Sequence, residues 1–398
     1  MVNSGKHVCT DIKTILAQKG LDSSGRSLPE HDGDNKHWLQ QMEKTRPGDV
    51  ERALSEPVGS YNLEKLVALV SPAAEDYLEQ MAQLAHQLTI QRFGRTIRLY
   101  APLYLSNYCT NSCRYCGFNR EHEFERTRLT IDRALEEAQV IASEGFRDIL
   151  LVSSEDRGFI TVDYLAELAG KLRSRFSSIS MEVYQMNNAE YAGLFKVGIE
   201  GVTLYQETYD RRAYRYYHHA GPKSDYDDRL DAPDRIAAAG MRQIGLGVLL
   251  GLTDWRIETL ALAEHAHYLI KHYWQSHVSF SFPRLRPAHE VKGSQFEHLL
   301  SDKNLVQMIT ALRLCFADAG LVLSTRECAP LRDHLIKIGI TKMSAGSKTN
   351  PGGYSGRSGA IEQFEIDDKR SPAQVAAVIK QAGFEPVWKD WDSAFVGV

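Results

Sequence analysis

Tyr108-Cys109-Thr110-Asn111-Ser112-Cys113-Arg114-Tyr115-Cys116 sets three cysteines at spacing C-x3-C-x2-C, directly behind an apolar run over residues 97–108. So short a loop can fold its three thiolates round one corner of a cubane. Each then serves a different iron of a [4Fe–4S] cluster, and the fourth iron keeps no protein ligand. An open iron can chelate a small molecule. Zinc and a disulfide are the competing readings of Cys109, Cys113 and Cys116. Structural zinc takes four N or S ligands. The remaining cysteines are Cys9, Cys315 and Cys328, and no histidine lies nearer than His122. Three thiols this close together also make a poor disulfide set.

Outward from this loop, a strand-like apolar run alternates with a helix-like stretch eight times. The runs cover residues 97–108, 148–155, 180–186, 201–209, 243–252, 277–285, 321–327 and 340–348. One intervening helix shows its period plainly: Ile131, Ala134, Leu135, Ala138 and Ile141 share a face, and Gly145 stops it. Eight βα units predict an α/β fold, a (β/α)8 TIM-type barrel, ahead of an open doubly wound sheet. Active groups of such barrels gather at the C-terminal ends of the strands. The cysteine loop follows the first strand. Later strands end in Ser153-Ser154-Glu155, Gln206-Glu207, Arg284 and Arg286, Thr325-Arg326-Glu327, and Ser344 with Ser347. Unpaired charge is costly to bury. Its recurrence at one end of apolar strands predicts a polar ligand there rather than a set of solvent caps.

Composition excludes several other classes. The 398 residues are 43% hydrophobic and 25% charged with net charge −4, which is ordinary for a globular chain. No basic run argues for nucleic acid. The N-terminus lacks an apolar signal core and carries Asp11, Asp22 and Glu30. No apolar run approaches the roughly 20 residues of a membrane helix. Six cysteines in so long a chain fit a reducing, cytoplasmic compartment, where thiolates stay free for iron. Residues 1–60 are polar, with Asp32-Gly33-Asp34-Asn35, and read as flexible or loosely helical. Ser71-Pro72 then opens a helix, with Leu78, Met81, Ala85 and Leu88 in step and Gly94 at its end. The expected organisation is an N-terminal extension over 1–95, partly flexible then helical, and a barrel with a C-terminal segment over 96–398.

The cysteine loop resembles the motif shared by radical S-adenosylmethionine (SAM) enzymes. That resemblance implies SAM chelated at the open iron through its amine and carboxylate. Glu155 is then placed to accept from the amine or a ribose hydroxyl; Ser153-Ser154-Glu155 stands where many of these enzymes carry Gly-Gly-Glu. Gln206 and Glu207 are candidates for the ribose hydroxyls. Gly247, in Gly247-Val248-Leu249-Leu250-Gly251, is the candidate for backing the adenine. These glycines miss the G-x-G-x-x-G spacing of a dinucleotide site. Arg284 or Arg286 is the candidate for the cofactor carboxylate, a task suited to a planar, permanently charged fork. His218-His219 and the spaced His265, His267 and His272 form no H-E-x-x-H and read as core or solvated residues. Cys315 and Cys328 read as buried thiols, and Trp388 and Trp391 as packing anchors.

Further segments resemble the aromatic amino acid lyases of the radical SAM class. They are Ala101-Pro102-Leu103-Tyr104-Leu105-Ser106-Asn107, Tyr205-Gln206-Glu207-Thr208-Tyr209, Ser281-Phe282-Pro283-Arg284-Leu285-Arg286-Pro287, Leu323-Ser324-Thr325-Arg326-Glu327, Pro351-Gly352-Gly353-Tyr354 and Val387-Trp388-Lys389-Asp390-Trp391-Asp392. The resemblance runs from about residue 45 to the C-terminus. It implies that an electron entering the cluster cleaves SAM to methionine and a 5′-deoxyadenosyl radical, which takes a hydrogen from the substrate amino group. The Cα–Cβ bond of L-tyrosine then breaks to give 2-iminoacetate (dehydroglycine) and 4-cresol. The imine passes to a thiazole synthase for the thiazole of thiamine, and a flavodoxin or ferredoxin supplies the electron. The resemblance also implies Arg326 as the clamp on the substrate carboxylate, with Tyr104 and Ser344 as further substrate contacts. A bidentate clamp would turn the amine toward the deoxyadenosyl carbon. Residues 346–356 are either a covering loop or a plain turn-rich connection. A tryptophan lyase of the same family and a non-catalytic iron–sulfur scaffold are the alternatives. The related tyrosine lyase of hydrogenase maturation carries a second cysteine motif near its end, whereas no cysteine here follows Cys328.

Overall fold

The computed structural model describes residues 10–23, 35–356 and 359–389. Cys9, Asp32-Gly33-Asp34 and Asp390-Trp391-Asp392 lie outside them. All eight expected strands are present, in one parallel sheet: β1 Thr96–Ser106, β2 Asp148–Ser153, β3 Ser178–Glu182, β4 Gly201–Thr203, β5 Gln243–Gly247, β6 His277–Ser281, β7 Gly320–Leu323 and β8 Lys342–Ser344. Neighbours pair in chain order, and β1 pairs with both β2 and β8, so the sheet closes into a barrel. Alternating helices cover it outside. The helix Ile131–Ser143 buries Ala134, Ala138 and Ile141, is capped by Thr130, and is followed by Gly145 at φ +103°.

A ninth strand was not expected. β9, Glu385–Val387, lies parallel beside Thr96–Arg98, on the edge of β1 that β2 leaves open below Ala101. The Arg147 N–H donates to the Trp388 carbonyl at 3.1 Å, which ties β9 to the start of β2 as well. Trp388 packs on Phe146, with ring centroids 5.2 Å apart. It is therefore an anchor at the barrel floor; Trp391 lies outside the described residues.

The described part of residues 1–60 holds packed helices: Ile12–Gln18, Lys36–Lys44 and Pro47–Ser55. Their apolar signal is short, since each buries only one or two side chains, such as Ile12, Leu16, Met42 and Val50. The next helix, Leu63–Val70, is apolar nearly all round and buried nearly throughout. It packs against the helices Trp255–His272 and Asp302–Cys315. Gln307 Nε2 donates to the carbonyls of Leu69 and Ser71, and Lys65 Nζ donates to that of Leu314. Pro72–Tyr77 is a 3-10 turn, after which Leu78–Phe93 runs as an α-helix to Gly94 at φ +68°. Each fully buried leucine in this layer contributes about 1.5–3 kcal/mol. The described part of the extension thus braces the outer helices on the side of β5–β7.

Candidate active site

At the mouth the strands stop sooner than their apolar runs, and the residues beyond them line a cavity. Its wall includes Cys109, Cys113 and Cys116 at the top, then Glu155, Glu207 and Arg286, and Tyr104 and Arg326 below. A smaller cavity beneath shares Tyr104 and Arg326 with it and reaches Ser344. Eight of the residues expected at the site therefore share the upper cavity, and Ser344 lies just under it.

Three neighbours hold the cysteine loop. Arg126 donates to the carbonyls of Asn107, Phe118 and Asn119 at 2.7–2.8 Å, tying the loop's two ends together. The segment after β4 braces its middle: Cys113 bridges His218, and Ser112 N–H donates to the Ala220 carbonyl at 2.9 Å. Gly221 is needed there, because a Cβ would come within 2.4–2.7 Å of Asn111 and Thr110. Finally, Thr110 N–H donates to the Glu155 carbonyl at 3.1 Å, which joins the loop to the end of β2. His218 is buried, bonded to Tyr115 Oη at 2.8 Å, and kept neutral by burial and by Lys223. It is a brace, as its core reading implies. His265 is likewise a core residue, bonded to Tyr209 Oη and pushed down to about 3 by burial.

The thiols fit a cluster and not a single ion. Among the described residues no three Cys, His, Asp or Glu side chains are close enough to ligate one metal. A cubane asks for something else, one thiolate on each of three irons. All three thiols line the same cavity. Burial pushes each of them up, so thiolates here need a local cation such as iron. Gln363 Nε2 points at Cys116 Sγ from 3.8 Å. Cys315 is buried on the far side, and Cys328 is only half-buried, not fully as its sequence suggested.

Glu155 is buried; its Oε1 accepts from Arg157 at 2.6 Å and its Oε2 from Asn111 at 3.2 Å. Glu207 takes a left-handed backbone at φ +70°, an unfavourable choice for a non-glycine residue that turns its carboxylate into the cavity. Lys223 Nζ meets it at 2.6 Å, with Arg229 at 3.9 Å. Arg286 faces the cavity, with Asp367 3.0 Å from its Nη2. Arg326 lies over the Phe364 ring at 3.4 Å and has no carboxylate partner among the described residues. Tyr104 Oη donates to Gln363 Oε1 at 2.8 Å. Ser344 Oγ accepts from Thr325 N–H at 3.1 Å, and Arg332, itself paired with Asp368, donates to the Ser344 carbonyl.

Three expected residues are not brought to the cavity. Arg284 pairs with Glu327 and Asp302 instead, and of the two arginines only Arg286 lines the cavity. Gln206 turns to the back because Tyr205 and Glu207, its neighbours, face the cavity. Gly247 does not face it either. A Cβ there would come within 2.6 Å of the Tyr205 ring, so this glycine makes room for Tyr205, and Leu249 lines the wall instead. The residues sequence reasoning missed are Glu182, Tyr205, Lys223, Arg229, Gln363 and Phe364. The segment 346–356 is pinned: Tyr354 N–H donates to the buried Glu137, and its Oη donates to the Pro102 carbonyl. Ser347, at the start of that segment, faces the lower cavity.

The radical SAM superfamily profile matches residues 103–263, and that of the biotin and thiamin synthesis associated domain matches residues 281–385. The 2-iminoacetate synthases of Escherichia coli (strain K12) and Salmonella typhimurium are each 45% identical over 346 residues, 87% of this chain and 91% of theirs. Among solved structures, HydG, a maturase of the [FeFe]-hydrogenase, superposes with TM-score 0.85 at 33% identity, covering 90% of this chain and 80% of its own. Methylornithine synthase, at 19% identity and TM-score 0.70, shares the fold.

Proposed function

The chain belongs to the 2-iminoacetate synthase family of radical SAM enzymes, and we propose on that premise that it is a tyrosine lyase. It cleaves the Cα–Cβ bond of L-tyrosine to 2-iminoacetate and 4-cresol, for the thiazole of thiamine. The observation that carries this reading is one cavity lined by three cysteines at one end and, at the other, by an arginine with no carboxylate partner among the described residues. When bound, the [4Fe–4S] cluster supplies the electron that splits SAM into methionine and the 5′-deoxyadenosyl radical that takes hydrogen from the substrate.

The chain's own residues do the rest. Cys109, Cys113 and Cys116 would hold three corners of the cluster and leave one for SAM. Glu155, Glu207 and Arg286 would receive the polar groups of SAM; Gln206, Gly247 and Arg284 support the wall behind them. Arg326 pairs with the substrate carboxylate; its face stacks on Phe364, and its Nη1 donates to the Arg284 carbonyl at 3.3 Å, which fixes the fork from which the remaining N–H groups reach the substrate. Tyr104 and Tyr205 close the sides of the substrate region, and Ser344 lies at its base. Held this way, the substrate reacts from a fixed pose, which is worth orders of magnitude in rate.

The same reading extends to partners. A flavodoxin- or ferredoxin-type protein supplies the electron, and a thiazole synthase receives the imine. The cytoplasm suits both, as it suits free thiols. Among the described residues no helix is long and apolar enough to cross a membrane.

Product analysis of the anaerobically reconstituted, reduced protein tests the reading. Given SAM with tyrosine and tryptophan together, it should yield 4-cresol and 5′-deoxyadenosine. Indole-derived products would replace the substrate. No deoxyadenosine from protein with an intact cluster would make the chain a scaffold.

A further inference from the structure

Glu182 ends β3 and lines both the upper and the lower cavity, as Arg326 does from beyond β7. The other acids at the mouth are committed: Glu155 to Arg157 and Asn111, Glu207 to Lys223, Glu327 to Arg284, Asp367 to Arg286. Glu182 is different, since no hydrogen bond or ion pair reaches its carboxylate among the described residues. A carboxylate half-buried in a cavity wall without a partner is costly. The charged groups that face it are Arg326, Lys223 and Arg229, with Glu207 opposing them, and the hydroxyls of Tyr100, Tyr104 and Tyr205 surround it. Burial first and Glu207 second push it up to about 7, and the three cations only moderate this.

On the amino acid lyase reading, we propose that Glu182 is the seat of the substrate's α-ammonium group, so that Arg326 and Glu182 bracket the zwitterionic head of the amino acid between them. An anion and a cation that have no ion-pair partner among the described residues share one shelf of the cavity, and the substrate carries the complementary pair on a single carbon. The phenol end is served differently. The lower cavity offers the neutral hydroxyls of Ser344 and Ser347, and Ser347 Oγ is buried with no hydrogen-bond partner among the described residues. A fixed seat for the amine also fixes the nitrogen that loses hydrogen.

The test is equilibrium binding to the cluster-reconstituted enzyme with SAM and no reductant. The ligands are L-tyrosine, 3-(4-hydroxyphenyl)propanoate, which lacks the amino group, and L-phenylalanine, which lacks the hydroxyl. In Glu182→Gln, tyrosine should bind about 10- to 100-fold more weakly while the desamino acid binds as before. No loss, or equal loss for both, overturns the proposal. A loss confined to the preference for tyrosine over phenylalanine would seat the phenol on Glu182 and overturn it too.

The wild-type enzyme supplies a second test that needs no variant. The bound ammonium holds the carboxylate ionised, so the ratio of tyrosine to desamino affinity should fall as pH drops below about 7. The fall should approach about tenfold per pH unit, and a ratio independent of pH contradicts the proposal. If wild-type enzyme binds tryptophan and not tyrosine, the substrate reading fails by itself. The contrast of tryptophan with 3-indolepropanoate then decides Glu182.

Discussion

The mouth and the floor of the barrel are made from opposite ends of the same strands, and they treat charge in opposite ways. At the floor, Asp148 on β2 collects Arg98 at 2.9 Å and Lys342 at 2.7 Å, and Arg242 faces Glu200 at 3.9 Å. The Asp148 pairs cross-link β1, β2 and β8 where the ladder starts, and Arg242–Glu200 joins the starts of β4 and β5. At the mouth, Arg326 and Glu182 stand beside three thiols with no ion-pair partner among the described residues. Burying charge costs free energy, so folding alone gives no reason to keep it unpaired. At the floor paired charge holds strands; at the mouth charge without an ion-pair partner stands where a ligand would complete the structure. The same distinction operates inside the mouth, where Arg284 is compensated and Arg326 is not.

The largest effect should come from the thiols. Cys113→Ala should lose the cluster and all activity, whereas Cys315→Ala, at a thiol buried away from the mouth, should keep both. Iron per chain and visible absorbance read this directly, and full iron in Cys113→Ala would remove the distinction. Next, Arg326→Gln should lower kcat/KM for tyrosine by about a hundredfold or more, with iron content unchanged. Unchanged turnover would take Arg326 out of the site.

Arg284→Ala should do the reverse. It strands Glu327, which is 1% exposed, and should cost about 3–5 kcal/mol of unfolding free energy. SAM affinity of the folded protein should not change; a stable variant that binds SAM poorly would return Arg284 to the cofactor. The smallest effect belongs to the floor. Asp148→Asn should cost about 1–3 kcal/mol and leave kcat/KM per folded chain as it was. A fall in kcat/KM without loss of stability would give the floor a catalytic role.

Much of this was readable in the sequence, and the failures share a cause. The eight strands and the cysteine loop show because apolar runs and short spacings are local signals. Strand ends do not, because an apolar run continues after the ladder stops. The run 201–209 pairs regularly only over Gly201–Thr203, and the rest becomes cavity wall. Which of Tyr205, Gln206 and Glu207 faces inward then depends on a parity the sequence does not fix, so Gln206 was misplaced. Glu182 was hidden in the same way, inside a run read as 180–186 although β3 ends at Glu182. Lys223, Arg229 and Gln363 carry no pattern at all; only closure of the barrel brings them to the cysteines. The ninth strand escaped because three residues, Glu385–Val387, are too few for a period.

The most direct test is where the hydrogen in 5′-deoxyadenosine originates. If the mouth presents the amine of tyrosine to the radical, the reaction run in deuterium oxide should place one deuterium in each 5′-deoxyadenosine formed with 4-cresol, because amine hydrogens exchange and carbon-bound ones do not. Deoxyadenosine carrying only protium, formed in step with 4-cresol, would mean that a C–H bond reacts, contradicting the seating of the amino acid head between Arg326 and the cluster.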